Sequence, residues 1–159
     1  MKFLWSFLLA LLMFAASFVS AAGIERPSLK VTTLDGQSFE LAAHKGQWVI
    51  VNIWATWCTP CIKEMPELSA FVSSRKDVAA IGLAWEDTER EEVLAFARKH
   101  PVSYPLAQID YDHLPPNFET PRGLPTTYLI APDGRVAKKF VGPITADDLS
   151  KAIDAAAAK

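Results

Sequence analysis

The sequence predicts an α/β fold, a central mixed sheet with helices on both faces and an N-terminal β-hairpin extension. Three observations carry that reading. Trp48–Trp54 is a nearly unbroken apolar and β-branched run, the pattern of a central strand covered on both faces. Apolar residues at helical spacing follow it, then a second buried strand run, Asp77–Trp85, and a β-α-β order makes the two strands parallel. Near the C-terminus two more strand-like segments flank the turn sequence Pro132-Asp-Gly-Arg135, which adds an antiparallel pair to the same sheet.

The chain has 159 residues, 50% of them apolar, which is one-domain size with enough apolar surface for a substantial core. Sixteen Lys plus Arg oppose 18 Asp plus Glu, a net charge of −2, and no basic block carries interleaved aromatics, so nucleic-acid binding has no support. Residues 1–22 differ from the rest. Lys2 is their only charge, Phe3–Val19 is apolar apart from Ser6 and Ser17, and Val19-Ser20-Ala21 offers small residues for a peptidase. This segment reads as a signal peptide, or as a retained membrane anchor because its apolar run approaches spanning length. Residues 23–159 form the expected domain, placed outside the cytoplasm in either case, where disulfides persist.

Within that domain, Leu29–Leu34 and Ser38–Leu41 flank Asp35-Gly36, which favours a tight hairpin turn, and His44 opens a loop before the central strand. From Thr59 to Arg75, Ile62, Met65, Leu68 and Val72 recur at three- and four-residue spacing, a helix with one buried side that Pro66 should kink. Thr88 is positioned to cap a second helix, with Glu89, Glu91 and Glu92 near its positive end and Val93, Leu94, Phe96 and Ala97 on its buried side. Residues 101–123 hold five prolines and read as an irregular connection with at most one short helix, at Pro116–Glu119. The strands Thr126–Ala131 and Val136–Val141 follow, and Thr145 caps a last helix with Asp147 and Asp148 in its first turn.

The two cysteines, Cys58 and Cys61, stand between the central strand and the first helix. A structural zinc site needs about four ligands, and His44, His100 and His113 are not at ligand spacing. A purely structural disulfide over so short a loop would constrain the unfolded chain little. A redox pair suits the position better. At a helix start, Cys58 lies beside unpaired N–H groups and the positive end of the dipole, which stabilise its thiolate and make it the attacking nucleophile. Cys61, one turn further in, is better shielded and would resolve a mixed disulfide.

Trp54-Ala-Thr-Trp57-Cys-Thr-Pro-Cys61, then Pro66, then Gly123-Leu-Pro125-Thr-Thr127 together resemble the thioredoxin superfamily over residues 26–155. Within it the chain is similar to the exported TlpA/ResA-like thiol-disulfide oxidoreductases, through the hairpin, the N-terminal segment and Glu64 in a Cys-x-x-Cys-x-x-Glu pattern. The resemblance implies a thioredoxin fold and no cofactor. It matches Pro125 to a cis-proline lying against the cysteines and gives Leu124 backbone groups for an extended substrate. Trp57, Thr59, Pro60, Leu124 and Pro125 make up the implied substrate surface, with Trp57 on the exposed rim and Trp54 in the core.

One departure stands out. The carboxylate that cytoplasmic thioredoxins place six residues before the first cysteine is Asn52 here, and Glu64 is the implied replacement as proton shuttle to Cys61. The alternative is a surface glutamate paired with Lys63 or another cation. With Thr59-Pro60 between the cysteines and no added histidine, the expected activity is reduction of disulfides in exported proteins, recharged by a membrane-embedded electron donor of the thiol-relay type. Cytochrome c maturation or related thiol maintenance is the implied setting, although Thr126 stands where the haem-dedicated branch usually has Glu. Membrane contact is expected only through the N-terminal segment, if uncleaved. An oxidising or isomerising exchange protein, or a non-catalytic binding module or chaperone, remains the alternative.

Overall fold

The computed structural model describes residues 26–158; the expected signal or anchor lies outside the described residues. Strands β1 (Lys30–Thr32) and β2 (Ser38–Glu40) form an antiparallel hairpin, and a single 3-10 turn, Leu41–His44, takes Leu41 out of the expected strand and runs into the loop expected from His44. The rest runs β3 (Trp48–Trp54), α1 (Thr59–Ser74), β4 (Val78–Trp85), α2 (Arg90–Lys99), β5 (Leu106–Ile109), β6 (Thr126–Ile130), β7 (Val136–Val141) and α3 (Ala146–Ala157). Among the described residues no helix is long and apolar enough to cross a membrane.

The main sheet has the order β5-β4-β3-β6-β7. Its β3/β4 and β4/β5 pairs are parallel, and β3/β6 and β6/β7 are antiparallel. The mixed sheet, its helices and the hairpin agree with the expected fold. The coverage of the two faces differs from the expected helices on both. Side chains alternate along β3, so Trp48, Ile50 and Trp54 join one core cluster with Met65, Leu68 and Phe71 of α1, Val93 of α2 and Leu149 and Ile153 of α3. The opposite cluster, around Val49, Val51 and Ile53, is closed by Leu29, Phe39, Leu41 and Phe118, none of them in an α-helix. The cause is β5, which the prolines around it concealed. From β3 through β4 to β5 the sheet grows in one direction, and successive right-handed crossovers in one direction lay both helices on one face.

Other local expectations are corrected for identifiable reasons. The hairpin connection is the five-residue Thr33–Gln37, in which Thr33 N–H donates to Gln37 O at 2.8 Å; only Gly36 in it takes a positive φ, +85°. Thr88 does not cap α2: its hydroxyl donates to Glu92, and Glu89 occupies the N-cap without a side-chain bond. Pro116–Glu119 is a turn with Asn117 at φ 64°, not a helix. On α1 the fully buried stripe is Cys61, Glu64, Met65, Leu68 and Phe71, with Ile62 and Val72 at its half-buried margins. Pro66 lies on the exposed side of α1, where its missing N–H leaves the Ile62 carbonyl without a helical donor.

Candidate active site

Strand β3 delivers the chain to the C-terminal edge of the sheet, where a turn reverses it into α1: Cys58 N–H donates to Ala55 O at 3.1 Å. Cys58 is the N-cap of α1, with Pro60 in the first turn, where a missing N–H costs nothing. Its Sγ accepts the Cys61 N–H at 3.3 Å. The two cysteines form a disulfide with Cα atoms 5.3 Å apart. On reduction the same Cys61 N–H and the helix dipole remain aimed at Cys58 Sγ, which favours its thiolate. Cys58 is 3% exposed and Cys61 fully buried, while Trp57 is 69% exposed and Thr59 and Pro60 lie open beside it. Trp54 is wholly in the core, its ring tilted 34° against Phe96 with centroids 5.1 Å apart.

Glu64 is not a surface residue. It is 5% exposed, three residues after Cys61 on the same buried stripe of α1, a spacing that makes the two side chains neighbours. Its Oε1 accepts Asn52 Nδ2 at 2.8 Å and its Oε2 accepts Ile144 N–H at 3.0 Å. Asn52 also donates to Thr127 Oγ1 at 2.9 Å, so the carboxyl is tied to β3, to β6 and to the segment entering α3. Burial pushes the Glu64 pKa up; the Ile144 N–H and the Asn52 amide pull it back in part, and the Glu67 charge adds to the rise. Tyr104 lies in the same apolar cluster as the cysteines, and its phenol is pushed well above its ordinary value by burial first and by the Glu64 charge second.

The Leu124–Pro125 peptide bond is cis. Thr126 pairs with Ile53, so Pro125 stands at the end of β3 where the Ala55–Cys58 turn begins. Leu124 packs on the cluster that contains both cysteines. The Pro125 carbonyl accepts from Gly142 N–H at 2.8 Å, whereas the Leu124 N–H and C=O take no hydrogen bond within the fold among the described residues. Among those residues no group of three or more His, Cys, Asp or Glu is placed to hold a metal ion.

The structure adds site residues that the sequence reading passed over. Thr127, the Ile144 amide and Tyr104 surround Glu64, and no spacing rule joins positions so far apart in the chain. Glu86 accepts from both Thr56 N–H and Thr56 Oγ1, at 2.8 and 2.9 Å. Its signal was available: an acidic residue directly after a parallel strand, at the sheet edge where such folds place their chemistry.

The site is a cysteine pair at a helix start with a buried carboxyl behind it, and comparisons with known proteins identify the family. The AhpC/TSA family model matches residues 22–139. The chain belongs to the AhpC/TSA family. Among its relatives is the thiol-disulfide oxidoreductase ResA of Bacillus cereus, 36% identical over 129 residues that make up 80% of this chain and 73% of the relative. The protein of the same name from Bacillus subtilis is 30% identical over 136 residues, 83% of this chain and 74% of that one. Among solved structures, a DsbF homologue from Corynebacterium diphtheriae superposes with a TM-score of 0.72 at 25% identity, covering 81% of this chain and 84% of its own. This family member is therefore a thiol-disulfide oxidoreductase of the ResA type, with Cys58 and Cys61 as its Cys-x-x-Cys pair.

Proposed function

We propose that the enzyme works outside the cytoplasm and reduces disulfides of exported proteins. The observation that carries the mechanism is Glu64, a buried carboxyl one helical turn beyond a buried Cys61. The Cys58 thiolate attacks one sulfur of a substrate disulfide, forming a mixed disulfide and releasing the other sulfur as a thiolate that takes a proton from solvent. Glu64 accepts the Cys61 proton, and the Cys61 thiolate attacks Cys58 Sγ. The second substrate thiol leaves, and the Cys58–Cys61 disulfide remains. Two electrons pass to the substrate, and the observed disulfide is the end state. An electron donor of the membrane-embedded thiol-relay class returns the enzyme to the dithiol, with Glu64 giving the proton back.

Trp57, Thr59, Pro60, Leu124 and Pro125 form the surface on which an extended substrate segment docks, with the free Leu124 backbone groups adding a strand-like contact. Thr126 is fully buried and its hydroxyl donates to Gly123 O at 2.7 Å, so it offers the substrate neither charge nor an open hydroxyl. That favours a general thiol-maintenance role over a site dedicated to one haem-binding substrate. The apolar segment Phe3–Val19 supports export, either as a cleaved signal or as a tether.

Insulin reduction by the wild type and by Cys58→Ser tests the activity: turnover must vanish in the variant, and turnover that survives would point to a binding module. Equilibration with glutathione tests the direction. A potential near −120 mV, the strongly oxidising end of the range, would overturn the reducing role. Mass measurement of the protein recovered from cells, against the mass expected for cleavage after Ala21, separates signal from anchor.

A further inference from the structure

We propose that Glu86 is a positioning residue for the nucleophile: a buried carboxylate that clamps the Ala55–Cys58 turn and whose negative charge restrains formation of the Cys58 thiolate. The proposal rests on the assignment of Cys58 as the attacking sulfur.

The β3/β4 ladder ends at Trp54 opposite Ala84, so two residues later the Thr56 N–H has no strand partner. Glu86 takes that place. Its Oε1 accepts the Thr56 N–H at 2.8 Å and its Oε2 accepts the Thr56 hydroxyl at 2.9 Å, so both oxygens are spent on one residue of the turn. The side chain is 7% exposed, and among the described residues it enters no ion pair. A buried carboxylate held by neutral donors alone is costly, and an amide or hydroxyl would satisfy the same donors more cheaply. What the carboxylate adds is charge close to the nucleophile. Through Thr56 and two further Cα–Cα steps, Glu86 lies within about 12 Å of the Cys58 Cα.

The surroundings do not cancel that charge. Glu86 borders a cleft of about 500 Å³ whose other charged walls are Asp87, Arg90, Asp110 and Asp112. Arg90, the only cation among them, points its guanidinium at the Thr33 and Leu34 carbonyls, at 3.0 and 3.4 Å. Asp110 is turned onto its own loop, accepting the Asp112 and His113 N–H groups. From α1 the other acid behind the cysteines is Glu64, itself negative when ionised. A like charge disfavours the thiolate, and a dithiol whose reduced form is less stabilised is the stronger reductant. Glu86 thus opposes the helix dipole and keeps the pair on the reducing side, while the clamp fixes the direction in which Cys58 faces a substrate.

The test is the pH profile of alkylation of the reduced full-length protein by iodoacetamide, read beside its insulin-reduction rate. Glu86→Gln keeps an oxygen for the Thr56 N–H and removes the charge; its alkylation midpoint is expected to fall by about half a pH unit or more, with the maximal rate within about twofold of wild type. Glu86→Ala releases the turn as well, and its insulin-reduction rate is expected to drop about tenfold at matched thiolate fraction. A midpoint in Glu86→Gln equal to wild type overturns the charge role, and a wild-type rate in Glu86→Ala overturns the clamp. Should Glu86→Ala fail to fold, Thr56→Ala removes the hydroxyl half of the clamp alone. It should slow turnover at an unchanged midpoint, and an undiminished rate there overturns the clamp too. Peptide mapping distinguishes the underlying assignment: fast alkylation on Cys61 in place of Cys58 would sink the nucleophile reading itself.

Discussion

Asn52 donates to Glu64 Oε1 at 2.8 Å and to Thr127 Oγ1 at 2.9 Å, joining α1, β3 and β6 behind the cysteine pair. In the proposed mechanism the acid for Cys61 stands on the helix, and the strand position supplies its hydrogen-bond donor. An amide there orients Glu64 without adding a second negative charge to the same buried space.

Glu64 makes stability depend on pH in a defined sense. Burial raises its pKa in the folded state, so the folded protein holds this proton at pH values where the unfolded chain has released it. Wild type is therefore expected to be most stable relative to Glu64→Gln below the ordinary Glu pKa and to lose that advantage as pH rises through the raised value. Thermal melts of both proteins from about pH 4 to about pH 8 check this. A Tm difference that stays flat, or that grows in favour of wild type with rising pH, would contradict it.

Asn52→Asp restores a strand carboxyl and should be harmful in this setting. It removes the donor to Glu64 and Thr127 and sets two carboxyl groups at hydrogen-bond distance, which must share a proton. The expected loss is about 2–4 kcal/mol near neutral pH, shrinking as the pH falls, measured by urea unfolding.

Gly82 on β4 keeps the Trp54–Tyr104 region closed. A Cβ there would lie 2.5 Å from Leu106 Cδ2, 3.0 Å from Trp54 Nε1 and 3.3 Å from Tyr104 Cε2. The leucine end can swing aside, but two rigid rings cannot. Gly82→Ala is expected to cost about 1–3 kcal/mol with the redox chemistry retained, read by denaturant melts alongside insulin reduction.

Thr145 closes α3 with a reciprocal capping box, its hydroxyl accepting Asp148 N–H while the Asp148 carboxylate accepts Thr145 N–H at 3.0 Å. Thr145→Ala should lower stability by about 1 kcal/mol without changing the cysteine chemistry. Because Ile144, whose N–H holds Glu64, directly precedes this cap, a change in the pH profile of turnover would show that the cap also serves the site.

Much of this was legible in the residues because it is local. Trp48–Trp54 shows its burial by having no polar face, and α3 shows its start by Thr145 and two acids; both were read to the residue or nearly so. The cysteines, Pro66 and Pro125 carry fixed spacings that survive in one dimension. What escaped is tertiary. β5 is four residues long and follows Pro105, so no periodicity marks it, and its edge position is set only by pairing with β4. That the described α-helices all lie on the first face followed from that one strand. At the site, Glu64 was visible through its spacing from Cys61, but its partners Asn52 and Ile144, with Thr127 behind Asn52, come from three segments that only the folded sheet brings together.

The most direct measurement is the pH dependence of the resolving step. Wild type and Glu64→Gln, each trapped with glutathione on Cys58, are followed from about pH 5 to about pH 9 as Cys61 expels glutathione. Wild type should speed up through the raised Glu64 pKa, and Glu64→Gln should lose that inflection and be slower by about 10² at neutral pH. Superimposable profiles would show that Glu64 moves no proton for Cys61.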